Sequence, residues 1–218
     1  QIVIYQINQS VAGFWYGNKM LWRVTCIIDF FTHIAWNKVI IFSAPSGAGK
    51  STIVNHLLKL REELEFSISA TSRAPRGQEQ HGVEYYFFTA DEFRQMIAED
   101  KFVEYEEVYA GSFYGTLRSE VERIWAKGHA IVFDIDVQGA AKVREYVRAL
   151  PNTDPMKIGY VDIFINPPSM EELRRRLEGR GTDAPDVITK RLANAEGEMA
   201  RAGEYMYRVT NDDLALAY

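Results

Sequence analysis

Runs of apolar residues alternate with amphipathic stretches along most of the chain. Continuous apolar runs at 39–42 and 130–133, and the mainly apolar stretch VDIFI at 161–165, have the length and composition of strands that are buried on both faces. After the first run, apolar residues recur at the spacing of one helix face, at Ile53, Val54, Leu57 and Leu58. Because strands that alternate with helices form parallel sheets, the pattern predicts an α/β fold with a mainly parallel sheet and helices on both faces.

A segment of different pattern, at 66–115, separates the first two predicted core strands. It contains short aromatic and polar stretches such as VEYYFF and KFVEYEEVYAGSFYG. Stretches of this kind are typical of short strands. The segment therefore predicts a small β-rich insertion in the core.

Two helices are predicted in the C-terminal part of the chain. The sequence SMEE has capping-box spacing at Ser169, and the helix that it opens ends at Gly179. A second helix is predicted from about 186 to 202. The three consecutive arginines at 174–176 cannot all face one ligand, and such runs are usually a solvated helical face.

The first 37 residues differ in composition from the rest. They contain three of the four tryptophans and few charged residues. We expect a leader at 1–37 of uncertain order, and two interpretations stay open: an upstream translation artefact, or an extra hairpin packed on the core.

Composition and charge restrict the classes of function. The formal net charge of −5 argues against a general surface for nucleic acid or anionic membranes, because such surfaces carry excess Lys and Arg. The single cysteine, Cys26, excludes an internal disulfide and a cysteine zinc cluster, which fits a reducing cytoplasm. No apolar stretch has the length and purity of a spanning helix. Because the net charge is negative, any phosphate-binding site in this chain must be a local cluster of suitable groups.

The sequence FSAPSGAGKST follows the first predicted strand and precedes the first predicted helix, which is the context of a phosphate-binding loop. In such loops, backbone N–H groups face the phosphates, the lysine reaches the terminal ones, and the next hydroxyl ligates Mg²⁺. The strict pattern has glycine where this chain has Ala44, and alanine fits if φ stays negative there. The predicted phosphate-binding residues are Ser46, Gly47, Ala48, Gly49, Lys50, Ser51 and Thr52.

Two acidic residues follow the second predicted strand. Asp134 and Asp136 are suited to organising Mg²⁺ beside the phosphates, because this hard cation prefers carboxylate and water oxygens. The sequence DVQG at 136–139 also fits the D-x-x-G of GTPase switch regions. The chain offers no N-K-x-D guanine motif, so we disfavour a GTPase.

The insertion carries basic and phenolic groups in an otherwise acidic protein. Arg73 and Arg76 lie three residues apart, with Tyr85 further along. Guanidinium groups bind phosphate oxygens in a bidentate manner, and tyrosine hydroxyls add donors without charge. These residues predict a second phosphate-binding site. Such a site would hold a phosphorylated acceptor in line with the nucleotide phosphates at the loop.

Six segments together resemble the guanylate kinase family. They occur in the family's order from about residue 38 to the C-terminus, as SAPSGAGKST, SATSRAPRGQEQHGVEYYF, KFVEYEEVYAGSFYGT, VFDIDVQG, FINPPSMEELRRRLEGRGTD and NDD. The resemblance implies a P-loop NTPase-type core and a transfer of the γ-phosphoryl of ATP to GMP or dGMP. The products would be ADP and GDP, and Mg²⁺ would bridge the donor phosphates.

The resemblance also implies roles for individual residues. The loop at 46–52 would bind ATP, with Ser51 on Mg²⁺ and with Asp134 and Glu79 as candidates for holding its waters. Guanine presents donors at N1 and N2 that one carboxylate can accept as a pair, whereas adenine has no donor at N1, so Glu104 would select the base. The implied GMP-binding residues are Ser69, Arg73, Arg76, Tyr85, Glu104, Tyr114, Thr116 and Asp136.

An arginine-rich helical lid is the third implied part. Arg176, Arg180 and Arg191 would join Lys50 as catalytic residues that stabilise charge on the transferring phosphoryl group. The family domain at 38–218 would divide into a core (38–66, 116–168 and 203–218), a GMP-binding insertion (67–115) and the lid (169–202). The family continues with a closing helix after NDDL, and here that helix looks truncated.

Two other functions are compatible with this architecture. Scaffold proteins contain guanylate-kinase-like domains that bind phosphopeptides without catalysis, but these typically lack a working phosphate loop. A kinase of the same fold could act on another phosphorylated acceptor, which would not need Glu104. We expect a cytoplasmic enzyme with no nucleic-acid or membrane partner, and the sequence leaves the oligomeric state, monomer or homodimer, open.

Overall fold

A computed structural model of the protein describes residues 15–16, 19–20, 38–179, 181 and 183–212. Within the predicted leader, the two-residue strands Trp15–Tyr16 and Lys19–Met20 pair in an antiparallel manner. The rest of the leader, the lid residue Arg180 and the expected C-terminal helix after 212 lie outside the described residues.

The elements of the domain are numbered from residue 39. Its strands are β1 Val39–Ser43, β2 Leu64–Phe66, β3 Ala70–Thr71, β4 Tyr86–Phe87, β5 Phe102–Tyr109, β6 Ser112–Leu117, β7 Ala130–Asp134, β8 Tyr160–Asn166 and β9 Tyr207–Thr210. Its helices are α1 Lys50–Leu60, α2 Ala90–Ala98, α3 Arg118–Trp125, α4 Val137–Ala149, α5 Pro155–Ile158, α6 Met170–Gly179 and α7 Pro185–Ala200, and a 3₁₀ turn follows at Arg201–Glu204.

The core is a parallel five-stranded sheet in the order β9-β8-β1-β7-β2. The central strand β1 is buried along its whole length, as its continuous apolar sequence predicts. Ile40 and Phe42 pack with α1 on one face, whereas Val39 and Ile41 pack with α3 and α4 on the other. The predicted parallel sheet with helices on both faces is confirmed.

The insertion forms a second sheet in the order β4-β3-β6-β5. Its centre is an aromatic stack in which the Phe93 ring lies 4.4 Å from Phe102 and 5.3 Å from Phe113. Phe93 belongs to α2, a helix that the β-rich pattern did not predict. The signal for this helix is a capping box, because Thr89 and Glu92 each accept the other's backbone N–H.

Helices α6 and α7, which were predicted to form a lid, pack on each other through a small core of their own. Leu173 and Leu177 of α6 contact Ile188 and Leu192 of α7. Helix α6 ends at Gly179 as predicted, whereas α7 begins one residue earlier than predicted and gives way to the 3₁₀ turn after Ala200.

A buried ion pair ties α4 to the core sheet. Arg144 and Asp162 are 6% and 1% exposed, and the Arg144 Nε donates to Asp162 at 2.9 Å. Asp162 also accepts the Tyr160 hydroxyl at 2.8 Å and the Met206 N–H at 2.7 Å. Buried charges are tolerated when they are paired and hydrogen-bonded in this way.

We predict that Asp162→Asn lowers the free energy of unfolding by about 3–5 kcal/mol, because it leaves the buried guanidinium of Arg144 without its buried carboxylate partner. The matched control is Glu204→Gln, which removes a second carboxylate from the same arginine where the side chain is 43% exposed. The control should cost less than about 1 kcal/mol. Urea unfolding measures both, and equal losses in the two variants would contradict the prediction.

Candidate active site

The phosphate-type loop lies between β1 and α1, where it is shaped by two glycines with positive φ. Gly47 has φ 96° and Gly49 has φ 92°. A Cβ at Gly47 would lie 2.9 Å from Leu177 of the lid helix α6, so the loop and the lid also require this glycine for close contact. Ala44 does not adopt positive φ, and alanine is therefore compatible with the first position of the loop.

Lys50 and Ser51 meet the acidic end of strand β7. The Lys50 amine forms an ion pair with Asp134 and donates to the Ile135 carbonyl at 3.0 Å. The Ser51 hydroxyl donates to Asp134 at 3.2 Å. The predicted lysine, hydroxyl and carboxylate are thus brought together at the N-terminus of α1, where the helix dipole favours anions.

A cavity of about 340 Å³ opens over this loop. It is lined by the loop residues, by Asp134 and Asp136 from the end of β7, and by Glu198. The cavity therefore presents backbone N–H groups and an ammonium on one side and carboxylates on the other. Such a mixed lining suits phosphates that carry a hydrated divalent cation.

Asp136 has a second task in the fold. One of its carboxylate oxygens accepts the Gly139 N–H at 2.7 Å and caps the N-terminus of α4. This cap accounts for the D-x-x-G spacing that also fits a GTPase switch. The pattern at 136–139 is therefore a helix cap at the edge of the cavity.

Glu198 was not predicted from the sequence. Burial raises the pKa of Glu198, the charge of Asp136 raises it further, and Lys50 opposes them. A signal was available, because Glu198 lies roughly two helical turns after Arg191 on α7 and so on the same face.

Three of the four side chains of the insertion that were predicted to bind phosphate, those of Arg73, Tyr85 and Tyr114, form a cluster. Arg73 donates to both oxygens of Glu79, at 2.6 and 2.8 Å, and its guanidinium lies 4.8 Å from the Tyr85 ring centre. The Tyr85 and Tyr114 rings meet edge to face at 6.2 Å. The Arg76 side chain is exposed, while its N–H donates to Glu79 at 2.7 Å.

Glu79 holds this cluster together. The hydrogen bonds from Arg73 and from the Arg76 backbone lower the pKa of Glu79 to about 2. The carboxylate, a candidate for metal waters on sequence grounds, thus lies in the arginine cluster, paired with a guanidinium. Its position favours orienting Arg73 over binding a cation.

Glu104 and Thr116 are neighbours across strands β5 and β6. They are register partners, and the Thr116 hydroxyl donates to Glu104 at 2.9 Å. Burial raises the pKa of Glu104 to about 7, although the Thr116 hydrogen bond and the charge of Lys142 lower it. Ser69 lies one residue before Ala70, the first residue of β3, and Ala70 pairs with Gly115 of β6. Ser69 therefore precedes the strand that neighbours the one carrying Thr116.

Two of the three arginines predicted to be catalytic in the lid, Arg176 and Arg191, lie among the described residues, and both contact the loop. Arg191 of α7 donates to the Ser46 hydroxyl at 3.0 Å and pairs with Asp183 at 3.2 Å. Arg176 of α6 donates to the Asn211 carbonyl at 2.9 Å and is held by Glu172. Arg176 also donates to the Ala48 carbonyl at 3.4 Å, so α6 and α7 each place one guanidinium group against the loop.

Asn211 holds the loop through a hydrogen bond to its backbone. It is 3% exposed, and its side-chain amide donates to the Ala48 carbonyl at 2.8 Å. The sequence signal is the NDD segment, which carried the resemblance but was assigned no role.

Within the described ranges, every helix is too short or too polar to cross a membrane.

Comparisons with known proteins agree with this geometry. A family model described as guanylate kinase matches residues 36–218. The chain belongs to the guanylate kinase family. It is 54% identical to the guanylate kinase of Bacteroides fragilis over 182 residues, which are 83% of this chain and 84% of that protein. It is 44% identical to the guanylate kinase of Escherichia coli K12 over 186 residues, with 84% of each chain covered.

The fold of a solved guanylate kinase is similar. The crystal structure of the guanylate kinase from Anaplasma phagocytophilum matches with a TM-score of 0.58 at 34% identity, and the match covers 83% of this chain and 79% of that one. The predicted P-loop NTPase-type fold and the predicted family are therefore both confirmed.

We predict that Glu104 makes folding stability depend on pH. Its folded pKa of about 7 lies above the ordinary 4.5, so the folded state retains a proton that the unfolded state releases between these values. The contribution is fully present below pH ~4.5 and is lost as the pH rises through about 7. Relative to Glu104→Gln, the wild type should lose about 2 kcal/mol of stability between pH 5 and pH 8.

Urea unfolding at several pH values measures this difference. The matched control is Glu107→Gln, an exposed acid on the same strand, which should run parallel to the wild type. A pH profile of Glu104→Gln that is also parallel to the wild type would refute the assignment.

Proposed function

We propose that this protein transfers the γ-phosphoryl group of MgATP to GMP, and also to dGMP, giving ADP and GDP. The observation that carries the proposal is the pairing of Glu104 with Thr116 beside the cluster of Arg73, Tyr85 and Tyr114. One insertion thus carries a carboxylate that would bind a base and basic groups that would bind a phosphate, and the core of the same chain carries a phosphate-type loop. The guanylate kinase names of the relatives support the same reaction.

The donor nucleotide would be held by the loop. Its backbone N–H groups and the N-terminus of α1 would bind the β- and γ-phosphates of ATP, with Lys50 on the terminal ones. The proposed ATP-binding set is Ser46, Gly47, Ala48, Gly49, Lys50, Ser51 and Thr52, which line or support the cavity.

The residues present fit a magnesium ion that arrives with ATP. Among the described residues, no group of three or more His, Cys, Asp or Glu side chains could hold a metal ion on its own. Mg²⁺ commonly takes one or two protein ligands together with substrate phosphates and water. Ser51 would be the direct ligand and Asp134 would hold water. The ion would neutralise negative charge on the donor phosphates.

The acceptor would be recognised in two halves. Glu104, with Ser69 and Thr116, would accept the N1–H and N2–H₂ donors of guanine. Arg73, Arg76, Tyr85 and Tyr114 would bind the acceptor phosphate, with Asp136 at the boundary to the loop cavity. Buried polar groups left unpaired by adenine would reject AMP by about 10⁴-fold.

Catalysis would rest on positioning and charge. Phosphoryl transfer needs an aligned acceptor oxygen and cations around the equatorial oxygens of the transferring group. Arg176 and Arg191 already contact the loop, and together with Arg180 and Lys50 they would supply this charge. Closure of the lid and the insertion would exclude water, which would otherwise compete as an acceptor.

The proposed division of the domain follows these tasks. The core at 38–66, 116–168 and 203–218 would bind ATP, the insertion at 67–115 would bind GMP, and the lid at 169–202 would close over both. We place the enzyme in the cytoplasm, in purine nucleotide metabolism, without nucleic-acid or membrane partners.

The first test is ADP release from MgATP by the purified protein with GMP, AMP or no acceptor. We expect release that depends on GMP, with AMP at least about 10³-fold poorer in kcat/KM. Release without an acceptor would indicate an NTPase. A folded protein that binds GMP but releases no ADP would indicate a binding module instead.

A second test addresses base recognition. Glu104→Gln should lower kcat/KM for GMP by about 10²-fold at pH 8, because the amide repels one of the two guanine donors. At pH 6 the loss should be smaller, since the raised pKa leaves part of the wild-type Glu104 protonated there. The KM for ATP should not change. An equal loss at both pH values would argue against Glu104 acting as the carboxylate partner of guanine.

A further inference from the structure

The carboxylate of Glu120 lies where the insertion joins the core. The chain enters the insertion through residues 67–69, between β2 and β3, and leaves it from β6 directly into α3. Glu120 belongs to the first turn of α3, and its side chain is fully buried. A buried carboxylate at a junction between two parts of a molecule needs partners there.

Both oxygens of Glu120 take two hydrogen bonds each. One accepts the Ile68 N–H at 3.0 Å and Arg123 at 2.8 Å, and the other accepts the Tyr86 hydroxyl at 2.8 Å and Arg123 at 2.9 Å. Burial acts to raise the pKa of Glu120, but these donors outweigh it and hold the pKa below its usual range. The carboxylate is therefore charged and saturated.

The network continues into the core sheet. Arg123 also donates to Glu65 of β2 at 2.6 Å. Glu65 in turn pairs with Lys127 at 2.9 Å and with His129 at 3.2 Å. Glu120 is thus anchored on the core side by an arginine that is itself fixed to a core strand.

The insertion-side partners are adjacent in sequence to the two halves of the proposed acceptor site. Ile68 precedes Ser69, which belongs to the guanine half. Tyr86 follows Tyr85, which belongs to the phosphate half. One carboxylate therefore connects a segment of each half to the same point on the core.

We infer that Glu120 is a positioning residue for the acceptor site, setting the distance of its base half and its phosphate half from the core through Ile68 and Tyr86. The inference rests on the proposed function, because it assumes that the insertion binds the acceptor. A bond within α3 between Glu120 and Arg123 would stabilise the helix without the insertion. The donors from Ile68 and Tyr86, however, satisfy the carboxylate only when the insertion is docked in this position.

The decisive variant is Tyr86→Phe, which removes one hydroxyl and leaves Glu120 with Arg123 and the Ile68 N–H. We expect the KM for GMP to rise about tenfold, because a hydrogen bond to a charged group is lost and GMP must then order the insertion. The kcat and the KM for ATP should stay within about twofold of the wild type. The matched control is Tyr109→Phe on the same sheet, where the side chain is 76% exposed, and it should behave as the wild type.

A second variant, Glu120→Gln, removes the charge at the junction, and its KM for GMP should rise at least as much as that of Tyr86→Phe. Thermal unfolding of each variant separates positioning from stability, because a purely structural role would lower the melting temperature without moving the KM for GMP. That result, or a wild-type KM for GMP in Tyr86→Phe, would overturn the inference. Failure of the proposed function is a different outcome: the wild type itself would release no ADP with GMP, and the positioning role would fall with it.

Discussion

A loop that binds phosphates with its own backbone must be held from outside, because its N–H groups face the ligand and cannot fix the loop themselves. In this protein the support comes from the C-terminal end of the chain and from the lid. Asn211 donates to the Ala48 carbonyl, and Arg176 donates to the Asn211 carbonyl. The lid core contacts Gly47 directly. The conformation of the loop therefore depends on its contacts with helix α6 and with Asn211 after strand β9, and the proposed catalysis depends on these contacts.

Four of the cations proposed to meet phosphates are paired with carboxylates of the protein itself. Four such pairs are Lys50 with Asp134, Arg73 with Glu79, Arg176 with Glu172 and Arg191 with Asp183. Each pair orients a long side chain and prevents repulsion among cations that converge on one region. This arrangement explains how a chain of net charge −5 can offer two sites for polyanions. When phosphates bind, each cation would exchange its carboxylate partner for a phosphate oxygen. The cationic side chains would already be oriented, so binding would not require a search through their rotamers.

Sequence patterns predicted the core strands well because a strand that is buried on both faces consists mainly of apolar residues. Helix α2 was missed because its signal lies in the local cap at Thr89 and in a single buried aromatic, whereas the surrounding aromatic stretches indicate strands. Glu120 could not be found from its sequence position, since an acid in the first helical turn is ordinarily solvated and favourable there. Its partners Ile68 and Tyr86 lie far away in the chain, and only the tertiary structure brings them to one carboxylate.

Two acids, Glu120 at the junction and Glu104 within the insertion, illustrate how a structural carboxylate differs from one that we propose to bind a ligand. Glu120 takes hydrogen bonds on both oxygens and has a lowered pKa, whereas Glu104 is described with one donor, Thr116, and has a raised pKa. The difference is hydrogen-bonding capacity: a saturated carboxylate stabilises its surroundings, and an undersaturated one destabilises them until a ligand supplies donors. Guanine supplies two donors on one edge, which is what Glu104 lacks. The instability that the protein tolerates at Glu104 is thus the physical source of the selectivity that we propose for it.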